Sequence, residues 1–369
     1  MKKRILHLAS FNGNVGDVLN HQGFYKGIED VTGLIPEIDH LEIRDFYRGI
    51  FKFDDSFVNL VNQYDSLIIG GGNYFELWVD HSPTGTSIMI EPEILSKIKV
   101  PILFNALGVD LGQGVTKSNV LKFKEFLDAV FSNPKHIISV RNDGALKNLE
   151  FLYGNNFTKN FLHTPDAGFY ADFSSEMQKT KSCLINLSGD MLETRYPGGN
   201  MHTPKSFLKE FVLLIEHLCK DKDFDELTFI PHIYKDIAVI SSLLELLPDK
   251  IVREKCRVAE LNLGNDISRY KKYYEEANMV IANRFHSNIS ALKACGTVVA
   301  IENYVQITNL YEELGMKEKL LSVKNHGFAK EFSSKIHLKG SYENNTSEIN
   351  ALMSKQYFSY INKVLHLFV

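Results

Sequence analysis

The sequence predicts an α/β protein of two Rossmann-like lobes, and three observations carry that expectation. Apolar runs of about four to seven residues recur along the chain, each followed by glycine or small polar residues and then by a helical stretch, the rhythm of parallel β-α-β architecture. A polar stretch at residues 174–181 interrupts the rhythm once, after which a second series begins. The length of 369 residues, at roughly 150 per domain, accommodates two such units and a terminal segment.

In the first series the runs at 5–9, 38–43, 66–69, 102–106 and 137–140 read as strands. Their following loops, at 10–17, 70–73, 107–110 and 141–144, stand at strand C-terminal ends, where open α/β sheets bind ligands. The second series has strands at 183–187, 227–231, 257–261, 279–282 and 298–301, interleaved with helices near 205–219, 237–247, 266–277 and 286–295, the last closing at Gly296 as a capping glycine. Residues 349–369 fit a terminal helix that packs back across the lobes. The expected division is therefore 1–175, 176–340 and a helical segment at 341–369.

Composition narrows the class. Hydrophobic residues at 44% and charged residues at 23% are ordinary globular values and exclude disordered, collagenous and fibrous chains. The net charge of −4, with no long block of one sign, gives no footprint for nucleic acid, so an anionic ligand must be held by local geometry. Cys183, Cys219, Cys256 and Cys295 lie far apart with no CxxC, which indicates neither a zinc site nor a disulfide framework but buried thiols in a reducing compartment. No apolar run approaches the roughly 18–20 residues of a membrane span. The basic start Met1-Lys2-Lys3-Arg4 precedes an apolar run too short for a signal peptide and interrupted by His7, so it reads as the first strand of a cytoplasmic protein.

Several residues stand where chemistry is expected. Asn12-Gly13-Asn14-Val15-Gly16-Asp17 follows a strand and precedes a helix, so its backbone N–H groups could meet an anion; equally, it is a tight turn with Asp17 near the cap. Gly70-Gly71-Gly72-Asn73 implies that something approaches the backbone closely, either a ligand or a packed neighbour. Arg141 ends an apolar strand and could fork onto a phosphate or carboxylate, or pair structurally with a nearby Asp or Glu. The most informative stretch is Met279-Val280-Ile281-Ala282-Asn283-Arg284-Phe285-His286, in which a buried strand delivers Arg-x-His to a helix N-terminus. There the helix dipole and unpaired N–H donors already favour an anion, with Arg284 as fixed charge and His286 as a proton source near neutral pH. His81 beside Asp80, His232 after its strand, Glu302 and Asn303 at the last strand end, and Trp78 as a ring to stack on a sugar are weaker candidates.

Taken in order, Gly13-Asn14-Val15-Gly16-Asp17, Ile68-Ile69-Gly70-Gly71-Gly72-Asn73, Ala106-Leu107-Gly108-Val109, Ser139-Val140-Arg141-Asn142-Asp143, Pro165-Asp166 and Ala282-Asn283-Arg284-Phe285-His286 resemble the polysaccharide pyruvyl transferase family, over most of residues 1–315. The resemblance implies a GT-B-like pair of lobes facing an interlobe cleft, with the acceptor on the first lobe and the donor on the second. It implies phosphoenolpyruvate as donor substrate, no cofactor and no metal. The implied acceptor is a sugar of a bacterial capsule or exopolysaccharide, or its lipid-linked precursor, which receives pyruvate as a cyclic ketal. By position, Arg141 matches the family's first anion-binding arginine, and Arg284 and His286 match its Arg-x-His. His286 is then the general acid and the two arginines the anion clamps, with Asn14, Asp17, Gly71, Gly72, Asn73, His81, His232 and Asn283 expected to bind substrate. The implied location is cytoplasmic, with peripheral contact at the inner face of the cell membrane. One departure stands out: where the family often has Asp-Pro-Lys after the final strand, this chain reads Ile301-Glu302-Asn303-Tyr304-Val305-Gln306, without lysine. Either another cation completes the phosphate site or the donor is held differently. Two other readings stay open: a GT-B-type glycosyltransferase with Glu302 on a ribose and Arg284 on a diphosphate, and a non-catalytic family member that binds glycan or a partner protein.

Overall fold

Two six-stranded sheets, parallel throughout, carry the fold. The computed structural model describes residues 3–34, 36–174, 177–196, 203–220, 224–261, 264, 266–294, 297–324, 326–336 and 346–368. The chain divides into two compact units, one of Met1–Asn12, Asn20–Ala171 and Met353–Val369, the other of Gly13–Leu19 and Asp172–Leu352.

The first unit contains β1 (Arg4–Ala9), β2 (Glu37–Glu42), β3 (Ser66–Gly70), β4 (Phe75–Glu76), β5 (Ile102–Leu107), β6 (Val109–Asp110), β7 (Ile137–Arg141) and β8 (Leu162–Thr164). Its sheet runs β2-β1-β3-β5-β7-β8, while β4 and β6 form a separate short pair. Strands β3 and β5 are buried at every position, which is why they read as continuous apolar runs rather than alternating ones. The edge strand β2 is largely exposed and accordingly polar. It stops at Glu42, one residue short of the expected strand, because the Glu42 carboxylate accepts from the Arg44 N–H and caps the helix Ile43–Tyr47. Strand order reverses between β1 and β3, so the crevice at their C-terminal ends is formed by Ser10 and the Gly70-Gly71-Gly72-Asn73 turn. From the terminal helix Thr346–Val364, Tyr357, Tyr360, Ile361 and Val364 pack on Ile5, Phe24, Ile28, Ile68 and Leu103 in the core of this unit.

The second unit contains β9 (Ser182–Ile185), β10 (Glu226–Phe229), β11 (Cys256–Val258), β12 (Met279–Ala282), β13 (Thr297–Glu302) and β14 (Leu320–Ser322). The order β11-β10-β9-β12-β13-β14 is the 3-2-1-4-5-6 arrangement of a Rossmann sheet, with its switch point between β9 and β12. The helix Pro204–Lys220 buries Phe207, Phe211, Leu214, Ile215 and Leu218, one stripe at helical spacing, against a core that includes Ile185, Phe229, Ile281 and Val299. Strand β9 ends at Ile185, before the expected 187, because the side chains of Asn186 and Asn283 there take over the hydrogen bonding between neighbouring strand ends. The expected capping glycine Gly296, with Cys295, lies outside the described residues; Cys183, Cys219 and Cys256 form no disulfide among the described residues.

Candidate functional site

In the second unit the switch point gathers most of the residues expected to do chemistry. Asn283 leaves β12 and its Oδ1 accepts from the backbone N–H and the hydroxyl of Ser188, which follows β9. The Arg284 N–H donates to Asn186 Oδ1 at 3.0 Å, so the two strand ends are stitched side by side. Arg284 Nε then donates to Asp236 Oδ2 at 2.8 Å, and its Nη2 to Asp236 Oδ1 at 2.5 Å and Asp190 Oδ1 at 2.7 Å. Asp236 is fully buried and also accepts from the backbone N–H groups of Gly189, His232 and Ile233. Burial works against the Arg284 charge, but Asp236 and Asp190 outweigh it and raise the guanidinium pKa. Burial likewise opposes the Asp190 charge, and Arg284 with Arg195 holds that carboxyl below the ordinary range. What remains of Arg284 for a ligand is Nη1, which has no hydrogen bond among the described residues.

His286 is the second residue of the helix Phe285–Ala294 and is 8% exposed. Its ring rests on the loop at 13–16: a Cβ on Gly16 would lie 2.6 Å from Cβ and 2.7 Å from Cγ of His286, so only glycine fits there. Asn14 braces this loop, its Nδ2 donating to Asp17 and its Oδ1 accepting from the Gly16 N–H at 3.0 Å. The Val15 N–H donates to the His232 carbonyl at 3.2 Å. Asn14, Asp17, His232, Asn283, Arg284 and His286 thus belong to one neighbourhood. His232 is fully buried against Tyr274 Oη at 2.9 Å; burial, then Arg284 and His286, press its pKa well below the ordinary imidazole value, so it is a neutral packing histidine. Glu302 is engaged by Thr308 at 3.0 Å and Lys324 at 2.9 Å.

The remaining candidates lie in the first unit. Arg141 is 3% exposed, with Nε on Asp143 at 2.8 Å and Nη1 on Asp166 at 3.3 Å, so carboxylates of its own unit meet its charge, as the structural alternative for it requires. Gly71 has φ +86, and a Cβ there would lie 2.6 Å from Asn20 Oδ1; the close approach at the triple glycine is made by Asn20 and His21 of the same unit. A Cβ on Gly72 would meet Tyr74, whose hydroxyl accepts from the Ser10 N–H at 2.8 Å. Asn73 Nδ2 donates to Asp110 at 3.0 Å. Around this turn Ser10 Oγ, both amide atoms of Asn20, Asn73 Oδ1 and Asn105 Nδ2 are buried without a hydrogen bond among the described residues, a set of polar groups suited to hydroxyls. His81 is exposed in a turn at φ 60 and, among the described residues, makes no hydrogen bond to this cluster. Trp78 is half-buried, its indole N–H without a hydrogen bond among the described residues.

Four residues of these sites escape sequence reasoning. Asp190, Arg195 and Asp236 act through contacts tens of residues away; only Asp236, an acid opening the helix Tyr234–Leu246, carried a local signal. Glu76 is the fourth: burial lifts its carboxyl to about 7, with Asp110 adding to the rise and Ser87 and Arg141 opposing it. A carboxyl at that value beside hydroxyl-binding groups can take or give a proton near neutral pH.

The family model described as polysaccharide pyruvyl transferase matches residues 14–304, and the chain belongs to that family. No curated protein matches it in sequence. Among solved structures it is similar to S. aureus MnaA with UDP, at TM-score 0.59 and 11% identity over 99% of this chain and 97% of that one. Anabaena Alr3699/HepE in complex with UDP is similar at TM-score 0.53 and 10% identity, over 98% of each chain. A trehalose-phosphate synthase of Burkholderia xenovorans in complex with glucose-6-phosphate gives TM-score 0.53 and 11% identity, over 98% of this chain and 100% of that one. At such identities the likeness speaks for the fold, an α/β fold of two parallel-sheet lobes in the GT-B class. Among the described residues no helix is long and apolar enough to cross a membrane, and no group of three or more His, Cys, Asp or Glu is placed to hold a metal ion.

Proposed function

We propose that this transferase moves the enolpyruvyl group of phosphoenolpyruvate onto two hydroxyls of one sugar, forming a cyclic ketal and releasing phosphate. The acceptor in this reading is a bacterial surface polysaccharide or its lipid-linked precursor, met at the inner face of the cell membrane. The observation that carries the proposal is the delivery of Arg284 and His286 by β12 to a helix N-terminus at the switch point of the second sheet. An anion is favoured there by the dipole, by N–H donors and by the Nη1 edge of Arg284.

The chemistry follows from those placements. His286 gives a proton to C3 of the donor as C2 gains positive character, and a sugar hydroxyl forms the first C2–O bond. The C2–O bond to phosphate then breaks, and a second hydroxyl closes the ring at C2. Of the two hydroxyl protons released, one restores His286 and the other leaves with phosphate, so the step balances. Arg284, fixed by Asp236 and Asp190, steadies the donor's charge without reorganising. The unsatisfied groups at Ser10, Asn20 and Asn73 suit acceptor hydroxyls, and Arg141 acts as a positioning residue behind them. Family membership supports the reaction class. With Glu302 held by Lys324 and Thr308, nothing specific favours a ribose there.

The test is calorimetric titration of phosphoenolpyruvate into the intact chain, Arg284→Ala, Arg141→Ala and His286→Ala, with a nucleotide-sugar panel alongside. Binding weakened about tenfold or more in Arg284→Ala, and kept in His286→Ala while turnover is lost, is the expected pattern. Nucleotide-sugar binding without phosphoenolpyruvate binding would replace the proposal with a glycosyltransferase. Binding of neither would leave a glycan- or protein-binding family member.

A further inference from the structure

Arg195, a residue of the second unit with no role so far, carries a buried charge with few acceptors among the described residues. Met191, at φ 54, turns the chain into the short helix Leu192–Arg195, and the Arg195 side chain is 9% exposed. Its Nε has no hydrogen bond among the described residues; the nearest carboxylate oxygen, Asp190 Oδ1, is 3.9 Å away and already accepts from Arg284 at 2.7 Å. The guanidinium's one hydrogen bond among the described residues runs from Nη1 to Asn303 Oδ1 at 3.3 Å, and its carbon lies 5.1 Å from the centre of the Tyr304 ring. The other acid nearby, Asp236, is saturated by Arg284 and three backbone N–H groups. Two guanidiniums and two carboxylates therefore balance in number but not in geometry. A guanidinium buried with so few acceptors is unfavourable unless something else supplies them.

We infer that Arg195 is an anion-binding residue, which with Nη1 of Arg284 grips an oxyanion of the donor. The inference rests on the donor reading above and extends it. A phosphate or carboxylate matches the fork of a guanidinium in two parallel bonds, and satisfies Nε where Asp190 does not reach. Burial and the neighbouring Arg284 both press the Arg195 pKa down, and an arriving anion relieves that strain on the charge. The contacts to Asn303 and Tyr304 set this cation against the very loop, 302–306, that carries no lysine of its own. The missing cation of that loop is thus supplied from another part of the same unit.

The experiment titrates phosphoenolpyruvate and, separately, inorganic phosphate into the full chain, Arg195→Gln and Arg195→Lys, and records ligand-free melting temperatures. Arg195→Gln is expected to weaken phosphoenolpyruvate binding by about 10- to 100-fold, Arg195→Lys to recover part of it, and the ligand-free melting temperature to stay that of the intact chain. Unchanged affinity in Arg195→Gln overturns the inference while leaving the pyruvyl-transfer reading in place. If Arg195→Gln does not fold, Arg195→Lys decides, since it keeps the charge but loses the fork: weakened binding supports the inference and unchanged binding overturns it. If the intact chain binds phosphate but not phosphoenolpyruvate, the functional reading fails and the phosphate titrations of the variants still decide the inference. Binding of neither ligand overturns both.

Discussion

Gly16 shows how one residue far from the helix in sequence can govern His286, the proposed proton donor. Its φ is not in the left-handed region, so what the position demands is space alone: a Cβ would sit 2.6 and 2.7 Å from the His286 Cβ and Cγ. Because the His286 Cβ is fixed to its backbone, Gly16→Ala should force the loop at 13–16 and the first turn of the helix Phe285–Ala294 apart and carry the imidazole with them, a local shift that leaves the chain folded. A displacement of about 1 Å at a reacting group costs on the order of 100-fold, so turnover should fall by that order with phosphoenolpyruvate affinity little changed, as kinetics beside calorimetry would read. Glu76 makes a prediction in pH. Its folded pKa of about 7 lies above the ordinary carboxyl value, so the folded state holds the proton more tightly than the unfolded chain. The stability it contributes is complete below the unfolded value near 4.5 and is lost as pH rises through 7. Glu76→Gln, which cannot ionise, should remove a fall on the order of 2–3 kcal/mol between pH 5 and 8, seen by comparing urea midpoints of the two chains across that range.

At the scale of elements, strand β5 links the terminal helix to the first unit's crevice. Its register shifts between Phe104 and Leu107, and Ala106 there takes φ 47, a left-handed conformation that a non-glycine residue rarely holds unaided. Ser139 Oγ accepts from the Ala106 N–H at 2.7 Å, and Tyr360 of the terminal helix reaches both Ser139 Oγ at 2.8 Å and Asn105 Oδ1 at 2.6 Å. Tyr360→Phe leaves Asn105 Oδ1 buried without its donor and should cost about 1–3 kcal/mol, measured by urea unfolding. None of this was legible in the sequence, because a bulge and its bolt depend on residues hundreds of positions apart. The continuous apolar runs of β1, β3, β5, β7, β9, β10 and β12 were legible, since strands buried on both faces need no partner to betray them. The pairs β4 and β6, and the strands β8 and β14, run only two or three residues and show no period. The Arg-x-His placement could be read from strand and helix signals, whereas the carboxylates that hold Arg284, and the underpaired Arg195, are tertiary facts.

For the whole molecule, the two sheets divide the chemistry by what each can satisfy internally. The first unit closes its cation, Arg141, with its own Asp143 and Asp166, and leaves neutral hydrogen-bonding groups unsatisfied at Ser10, Asn20 and Asn73. The second ties most of its neutral groups together at the switch point, through Asn186, Ser188 and the Oδ1 of Asn283, leaving Asn283 Nδ2 without a hydrogen bond among the described residues beside the guanidinium donors of Arg195 and Arg284. A sugar answers the first deficit and an oxyanion the second. Phosphoenolpyruvate should therefore protect the second unit's backbone from hydrogen exchange at 186–190, 230–236 and 283–290, and leave the turn at 70–73 and the strand end at 105–110 exchanging as before. At a ligand concentration about 100 times Kd, stabilisation by roughly 2.7 kcal/mol follows from mass action, and that is enough to slow exchange through opening of the second unit about 100-fold, without touching amides of the first unit that exchange through its own local opening. Protection centred instead on 70–73 and 105–110 would move the donor to the first unit, and with it the assignment of Arg284 and His286. An acceptor oligosaccharide should give the reverse map, because uncharged hydroxyls match the unsatisfied neutral groups at Ser10, Asn20 and Asn73, whereas the fork of a guanidinium is matched better by an oxyanion.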